Sequence, residues 1–537
     1  MCEERSKKPV LAMYDVRGIQ KYIFRTAKVK DAIGASRIVE NIILEALEDA
    51  VKEVSRTGEA IKACLEWYGE AGWLPYQEAG GWDIQVLFIG GGNAFVVYQN
   101  KKLCLEINRR MAYYTLRHTY SLQLAVAVIE KSEDYAQDYR ALYAKMGEVK
   151  AEMVVSKPLG TLPVMKMEIK TGYPMVSEEG STETLLKQES GLKKQKGIRE
   201  EERRFDSLVT EKGVDSVIAV VHIDGNSMGQ RIRERIAEIS DYTKAVNTMR
   251  EVSYHINHSY KKVFSEMKDF FDGHGYLIRE ILVAGDDITF VCNGKIALAA
   301  VEYYCREITR YTMNGKADKE SIQKYGFSVC AGVAYIGSHF PFSIGYEVAE
   351  ACCGFAKDRA KNTRYRDGER VGNFVDFHIC KNIQAQNLKE TRSREYQTSS
   401  GERLCRRPYY IRTDNEGGLS VLNQESFSFE QLKQAILYFQ DEKNLPRSFA
   451  KELRGCYALG ESQVELLYAF LESRGWNMPD RSSSSYLTET TETGAVLRTA
   501  KWYDALELMD DYIDLEAIIK KGGTEHGEVS DQNNIAE

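Results

Sequence analysis

One order of segments occurs twice in this chain of 537 residues, and it limits the possible folds more than any single motif does. The first pass begins with the apolar stretch from Val10 to Asp15 and continues into a helical pattern with apolar residues at Ile38, Ile42, Leu47 and Val51. Two apolar runs then flank Gly90-Gly91-Gly92-Asn93, Leu103 to Arg117 has the spacing of a helix, and "SLQLAVAVIE" closes as a strand. The second pass runs from Val217 to Asp224, through a long helix over Tyr242 to Asp272, to two apolar runs flanking Ala284-Gly285-Asp286-Asp287. A helix over Ile296 to Tyr311 and a strand beginning near Phe327 complete it. Such a repeat governs the reading of the whole chain. Each copy is β-α-β-β-α-β, so the expected fold class is α+β with two ferredoxin-like domains.

The second copy carries more acid than the first. Its opening strand, "VIAVVHIDGNSMG", ends at Asp224, with Gly225 and Gly229 opening a turn into a helix. If that strand lies beside the hairpin, Asp224 meets Asp286 and Asp287 at one sheet edge. Burying like charges together is costly unless a cation neutralises them, which suggests Mg²⁺ or Mn²⁺ on hard oxygen ligands. Two such ions about 3.5–4 Å apart would suit phosphoryl displacement. The order strand-Asp, helix, hairpin-Asp-Asp is that of a polymerase or nucleotide-cyclase palm, and the reading is a nucleotidyltransferase. Alone, a Gly-Asp-Asp is usually a hairpin turn with polar tips, so order and spacing carry the inference. In the first copy Gly92 and Asn93 stand at the hairpin, so one copy is expected to be competent and the other structural. Lys357 and Lys361, four residues apart, share a helical face and are candidates to hold nucleotide phosphates.

Composition narrows the remaining choices. With 43% hydrophobic residues the chain has material for several ordinary cores. It has no run of about 18 uncharged apolar residues and no apolar segment in "MCEERSKKPV", so no membrane partner is expected and a cytoplasmic location is. The eleven cysteines include no Cys-x-x-Cys, and His255 and His258 lack a carboxylate motif, so no zinc site is expected. A net charge of −7 argues against a chain coated for general nucleic-acid binding. The expected division is a first palm over 1–170, a partly helical connector over 171–214 and a catalytic palm over 215–380. A loop-rich linker over 381–425, a helical domain over 426–520 and a disordered tail over 521–537 would follow.

These motifs together resemble the large subunit of type III CRISPR effector complexes, the CRISPR polymerase family. That family has two palm domains, the first with a Gly-Gly-Gly-x-Phe hairpin and the second with Gly-Gly-Asp-Asp; here the two read Gly90-Gly91-Gly92-Asn93, with Phe95 one residue late, and Ala284-Gly285-Asp286-Asp287. Its Gly-Ile-Gln-x-Phe/Tyr-Ile matches Gly18, Ile19, Gln20, Tyr22 and Ile23, and its Gly-Ala-Ser matches Gly34, Ala35 and Ser36. Its Asp-Gly-Asp-x-Met-Gly matches Asp224-Gly225-Asn226-Ser227-Met228-Gly229 with one change, and Ala356-Lys357 and Arg407-Pro408-Tyr409 resemble later segments.

The resemblance implies synthesis of a cyclic oligoadenylate messenger from ATP in antiviral defence, on two divalent ions held by Asp224, Asp286 and Asp287 with the Gly225 carbonyl. Asn226, Ser227, Gly229, Ala284, Gly285 and the two lysines would lie against the nucleotide. CRISPR effector subunits and guide or target RNA are the implied partners. Only nine residues precede the first strand, so the family's His-Asp nuclease is expected to be absent, as is its zinc ribbon. Two alternatives stay open: a stand-alone cyclase making another messenger such as a cyclic dinucleotide, and a scaffold subunit whose acidic cluster only stabilises.

Overall fold

The computed structural model describes residues 8–520 apart from 26–28, 59, 79, 91, 155–163, 195–207, 209–216, 364–370, 382–386, 414–426, 477, 479–483 and 491–495. Gly91, residues 155–163, 195–207 and 209–216 of the stretch between the two repeats, and the expected tail at 521–537 lie outside the described residues.

The protein is α+β. In the first repeat, β1 (Val10–Arg17) leads through α1 (Ile19–Phe24) and α2 (Val29–Thr57) to the hairpin β2 (Ile84–Gly90) and β3 (Asn93–Tyr98). Helix α3 (Lys101–Thr119), strand β4 (Gln123–Glu130) and α4 (Tyr135–Glu152) follow. The strands lie side by side in the order β2-β3-β1-β4, and β1 pairs antiparallel with both β3 and β4. An insertion between α2 and β2 adds the two-residue strands Tyr68–Gly69 and Gly72–Trp73, which pair as a small hairpin.

The second repeat has the same order. Strand β5 (Val217–Gly225), helices α5 (Met228–Ala237) and α6 (Tyr242–Gly273), the hairpin β6 (Ile278–Ala284) and β7 (Asp287–Asn293), α7 (Ala297–Ile308), β8 (Val329–Gly337) and α8 (Phe342–Asn362) follow in turn. They build the sheet β6-β7-β5-β8, which β9 (Asn373–Ile379) extends in parallel and β10 (Tyr409–Ile411) closes antiparallel.

The unbroken apolar run in β5 has a direct cause. Side chains alternate across a strand, and here both faces are covered. Ile218 and Val220 enter a core shared with the first sheet, α6 and α8, while Ala219, Val221 and Ile223 enter a second core that reaches the C-terminal helices. A strand buried on both faces reads as continuous hydrophobic sequence. The two sheets therefore share apolar material, and Phe24 of α1 stacks on Tyr346 of α8 with ring centroids 3.3 Å apart.

The C-terminal part packs α9 (Phe429–Gln440), α10 (Arg447–Leu459) and α11 (Glu461–Ser473) against that second core. It also contains a hairpin, Tyr486–Thr490 with Val496–Ala500, that helical periodicity did not indicate. The helix expected over Trp502 to Ile519 is broken in two: α12 spans Tyr503–Leu508, anchored by Asp504 accepting from Tyr409 Oη at 2.7 Å and by Glu507 on buried Arg407 at 3.0 Å, and helix resumes at Leu515.

Candidate active site

The centre of the second sheet is built by register. Ile223 pairs with Ile288 and Ala284 with Asp287, so the end of β5 and the tip of the β6–β7 hairpin meet at one sheet edge. The tip has two linking residues, Gly285 and Asp286, and Gly285 sits at φ +65°, a conformation glycine adopts without steric cost. Gly225 is glycine for a different reason. A Cβ there would lie 2.8 Å from both Asp286 Oδ2 and Tyr260 Oη, so its absence lets the Asp286 carboxylate rest against the end of β5.

Alternation along β5 puts Asp224 on the same face as Ile218, Val220 and His222, the face that α8 covers. There Lys357 pairs with Asp224. Burial opposes the lysine's charge, but Asp224 outweighs it and holds the Lys357 pKa above its ordinary value. Lys361 lies one turn further along α8 and is exposed.

The carboxyls behave as a crowded set. Burial, with Asp224 adding repulsion, pushes Asp286 up to about 6. Burial together with Asp224 and Asp286 pushes Asp287 up to about 8. Asp287 Oδ1 is buried without a hydrogen-bond partner. His222 Nδ1 lies 3.5 Å from it and 3.1 Å from Thr289 Oγ1, but burial lowers the imidazole to about 4, so the neutral ring supplies no compensating charge.

Each remaining candidate has a place. Asn226 is buried, and its amide donates to Ser328 Oγ at 3.2 Å and the Gly372 carbonyl at 3.1 Å, so it fastens the turn to the sheet. Ser227 holds a positive φ of 57° at the start of α5. A Cβ at Gly229 would meet only Arg233 Nη1 at 3.5 Å, an ordinary contact. Ala284 and Gly285 line a cavity of about 470 Å³ that also touches Gly90 and Gly92 of the first hairpin, so the cavity lies between the two hairpins. Sequence reasoning missed His222, Tyr260 and this cavity.

The donor chemistry fits a hard divalent cation. Three carboxylates stand at one edge, two are raised by burial and then by their neighbours' charge, and one buried oxygen lacks a partner. Among the described residues, no three His, Cys, Asp or Glu side chains are gathered round one ion, so backbone or substrate oxygens would have to complete each shell.

No protein-family model and no curated protein matches the sequence. Solved structures do. The Csm1–Csm4 subcomplex of the type III-A CRISPR-Csm interference complex matches at 14% identity and a TM-score of 0.53, over 94% of this chain and 69% of that one. The chain has the fold of Csm1. Csm1 in T. onnurineus (14% identity, 94% and 69% coverage, TM-score 0.49) and a Csm1–Csm4 cassette in complex with one ATP (12% identity, 94% and 70% coverage, TM-score 0.49) are further matches. The chain spans 64–70% of the length of the Csm1 chains it matches. The Csm1 of the Csm1–Csm4 subcomplex is part of the type III-A CRISPR-Csm interference complex.

Proposed function

We propose that the two sheets are ferredoxin-like palms and that the second is a nucleotidyltransferase, joining ATP into a cyclic oligoadenylate. The observation that carries this reading is the meeting of Asp224, Asp286 and Asp287 at one edge of the second sheet, with Lys357 beside them. Asp224, Asp286, Asp287 and the Gly225 carbonyl would hold Mg²⁺ or Mn²⁺. Bound there, the ions supply charge neutralisation for the phosphates and for the attacking oxygen.

The rest falls to the chain. In each addition a ribose 3′-oxygen forms a bond to an α-phosphorus as the bond to the β-phosphate oxygen breaks; pyrophosphate leaves and the hydroxyl proton passes to solvent. A final attack by the chain's own 3′-oxygen closes the ring. The cavity between the hairpins would take the nucleosides, with Ala284 and Gly285 letting backbone approach them. Lys357, carried by α8, would hold a phosphate as a point charge, with Lys361 one turn away. Asn226 would act through the turn it anchors, with Ser227 and Gly229 shaping the start of α5. Positioning and charge do the catalysis, as in phosphoryl transfer generally.

In this reading the protein works in the cytoplasm with a Csm4-like subunit and with guide or target RNA. The two palms, 1–170 and 215–380, and the C-terminal part, 426–520, are its domains, with the first palm non-catalytic and β10 of the intervening segment joining the second palm's sheet. The second reading is a scaffold subunit, in which the acidic cluster only stabilises the sheet edge and the protein grips RNA and smaller subunits without consuming ATP. Incubating purified protein with each labelled nucleoside triphosphate and Mg²⁺ or Mn²⁺, with and without RNA, separates the readings by product mass. A cyclic oligoadenylate supports the palm reading, a cyclic dinucleotide makes the protein a different cyclase, and no turnover in any condition leaves the scaffold.

A further inference from the structure

The Gly18-Ile19-Gln20 motif lies outside the chemistry of the second sheet, yet the helix it opens touches both repeats. Gly18, at φ +76°, turns the chain from β1 into α1. On one side of α1, Ile19 fills the space beside the first hairpin tip, its Cδ1 2.3 Å from where a Cβ of Gly92 would lie. On the other, Phe24 stacks on Tyr346 of α8 at 3.3 Å and 13°, and the Gln20 amide donates to the Glu350 carboxylate of the same helix.

Tyr346 and Glu350 stand one turn apart on α8, and both lie close enough to Asp287 to feel its charge. The Tyr346 ring stands edge-on to His222 at 5.6 Å and 80°, and His222 Nδ1 is 3.5 Å from Asp287 Oδ1. Glu350 is half-buried and adds to the repulsion that Asp224 and Asp286 exert on Asp287. Two turns further along α8 comes Lys357 on Asp224, so one helix face brings both a lysine and a fourth carboxylate towards the acidic edge. Burial raises the Glu350 carboxyl, the bond from Gln20 opposes that rise, and Glu347 adds to it. Gln20 thus helps keep charged a group that its surroundings push towards neutrality.

Carboxylates crowded at one edge repel one another until a cation joins them, and each further negative charge nearby steepens the pull on that cation. Groups that fix the surroundings of a metal site change its affinity without touching the ion. We propose that Glu350, held by Gln20 of the first repeat, is a positioning residue that tightens the hold of Asp224, Asp286 and Asp287 on their divalent cation. The proposal rests on those three acids holding the cation of the nucleotidyltransferase reading, and it gives the acid-poor first repeat a task at the second repeat's site.

The test is cation binding in the absence of nucleotide. Mn²⁺ is titrated into the full chain and into Asp224→Ala, Glu350→Gln, Glu350→Asp and Gln20→Ala, with free Mn²⁺ read by electron paramagnetic resonance and folding by thermal melting. The wild type should bind Mn²⁺ and Asp224→Ala should lose most of that binding, which places the ion at the edge. Glu350→Gln should weaken binding about tenfold, Gln20→Ala should weaken it less, and Glu350→Asp, which keeps the charge, should recover part of the loss. Combining Gln20→Ala with Glu350→Gln should cost little beyond Glu350→Gln alone, because the two side chains act as one pair. A pair that only packs α1 on α8 would lower the melting temperature and leave the ion alone, so Mn²⁺ affinity unchanged in Glu350→Gln or in Gln20→Ala overturns the proposal. Wild-type protein that binds no Mn²⁺, or binds it no better than Asp224→Ala, overturns it too. Gln20 is exposed, so its variant reports even where a change at Glu350 prevents folding. Product formed from ATP by the wild type judges the transferase reading, so the two can fail separately.

Discussion

The two sheets share a strand order and differ at their edges. In the first, Asp15 pairs with Asn93 and Gly90 closes on Asn93; in the second, Ala284 closes on Asp287 beside Asp224. By this register Asp15 stands where Asp224 does, Gly92 where Asp286 does and Asn93 where Asp287 does. Even the lysine is kept: Lys150 on α4 binds Asp15 at 2.8 Å, as Lys357 on α8 binds Asp224.

What the first sheet lacks is the second and third acid and the space for them. Val16 occupies the place of Gly225, and the point a Cβ of Gly92 would take is 2.3 Å from Ile19 Cδ1, so an apolar side chain lies against the first tip where a carboxylate stands in the second. A strand-end Asp with a helix-borne Lys is thus compatible with either a structural or a chemical role. The hairpin carboxylates and the glycine that admits them are what set the second sheet apart.

The largest expected contrast comes from the strand-end acids. Asp224→Ala should lower product formation by about 10²–10³-fold, the scale on which a group acting directly on transition-state charge contributes. Asp15→Ala should leave it within about twofold and cost at most about 1 kcal/mol of stability, as for a part-exposed ion pair. Equal losses would erase the distinction between the sheets; both are read from product yield and thermal melting.

Next is the space at the end of β5. Gly225→Ala drives a Cβ against Asp286 and Tyr260 and should cost about 1–3 kcal/mol together with most activity. At the corresponding place the first sheet already carries Val16, and Val16→Ala should disturb packing alone. A Gly225→Ala protein with unaltered melting and turnover would contradict the steric account.

The acids also give the sheets different pH responses. A carboxyl raised from its usual range to about 8 prefers its proton in the folded state. Its penalty is absent below the unfolded pKa and grows as pH rises, levelling off above about 8. Asp287→Asn should therefore stabilise the cation-free protein at pH 8 by about 1–2 kcal/mol, reduced from the full linkage value by partial exposure to water, and by almost nothing near pH 4. Asn93 is already neutral, so Asn93→Asp should add no activity. A stability gain from Asp287→Asn that does not change with pH would sharpen the contrast in a different direction, towards packing.

The smallest effect concerns the turns after the strand-end acids. Gly18 at φ +76° and Ser227 at φ 57° hold the same left-handed position before α1 and α5. Ser227→Gly should relieve about 1 kcal/mol of strain and Gly18→Ala should add about as much, measured by denaturant unfolding.

The sequence made the strand-helix-hairpin order legible because apolar runs and turn residues are local signals, and both edges were found that way. It also placed Asp224, Asp286 and Asp287, since each sits next to a turn. It could not choose between Lys357 and Lys361, because that depends on how α8 is rotated over the sheet. It placed Asn226 in the turn after Asp224 but gave no sign that its amide donates to Ser328 and Gly372, partners distant in sequence. His222 and Tyr260 were invisible because an apolar strand and an amphipathic helix give no sign of which polar tip ends beside a carboxylate.

The most direct measurement pairs Asp286→Ala with Asp287→Ala in one chain and follows products from labelled ATP by mass, with thermal melting as the check on folding. The account predicts a folded protein that makes no cyclic oligoadenylate where the wild type does. Unchanged synthesis by that variant would contradict the claim that chemistry happens at the edge of the second sheet.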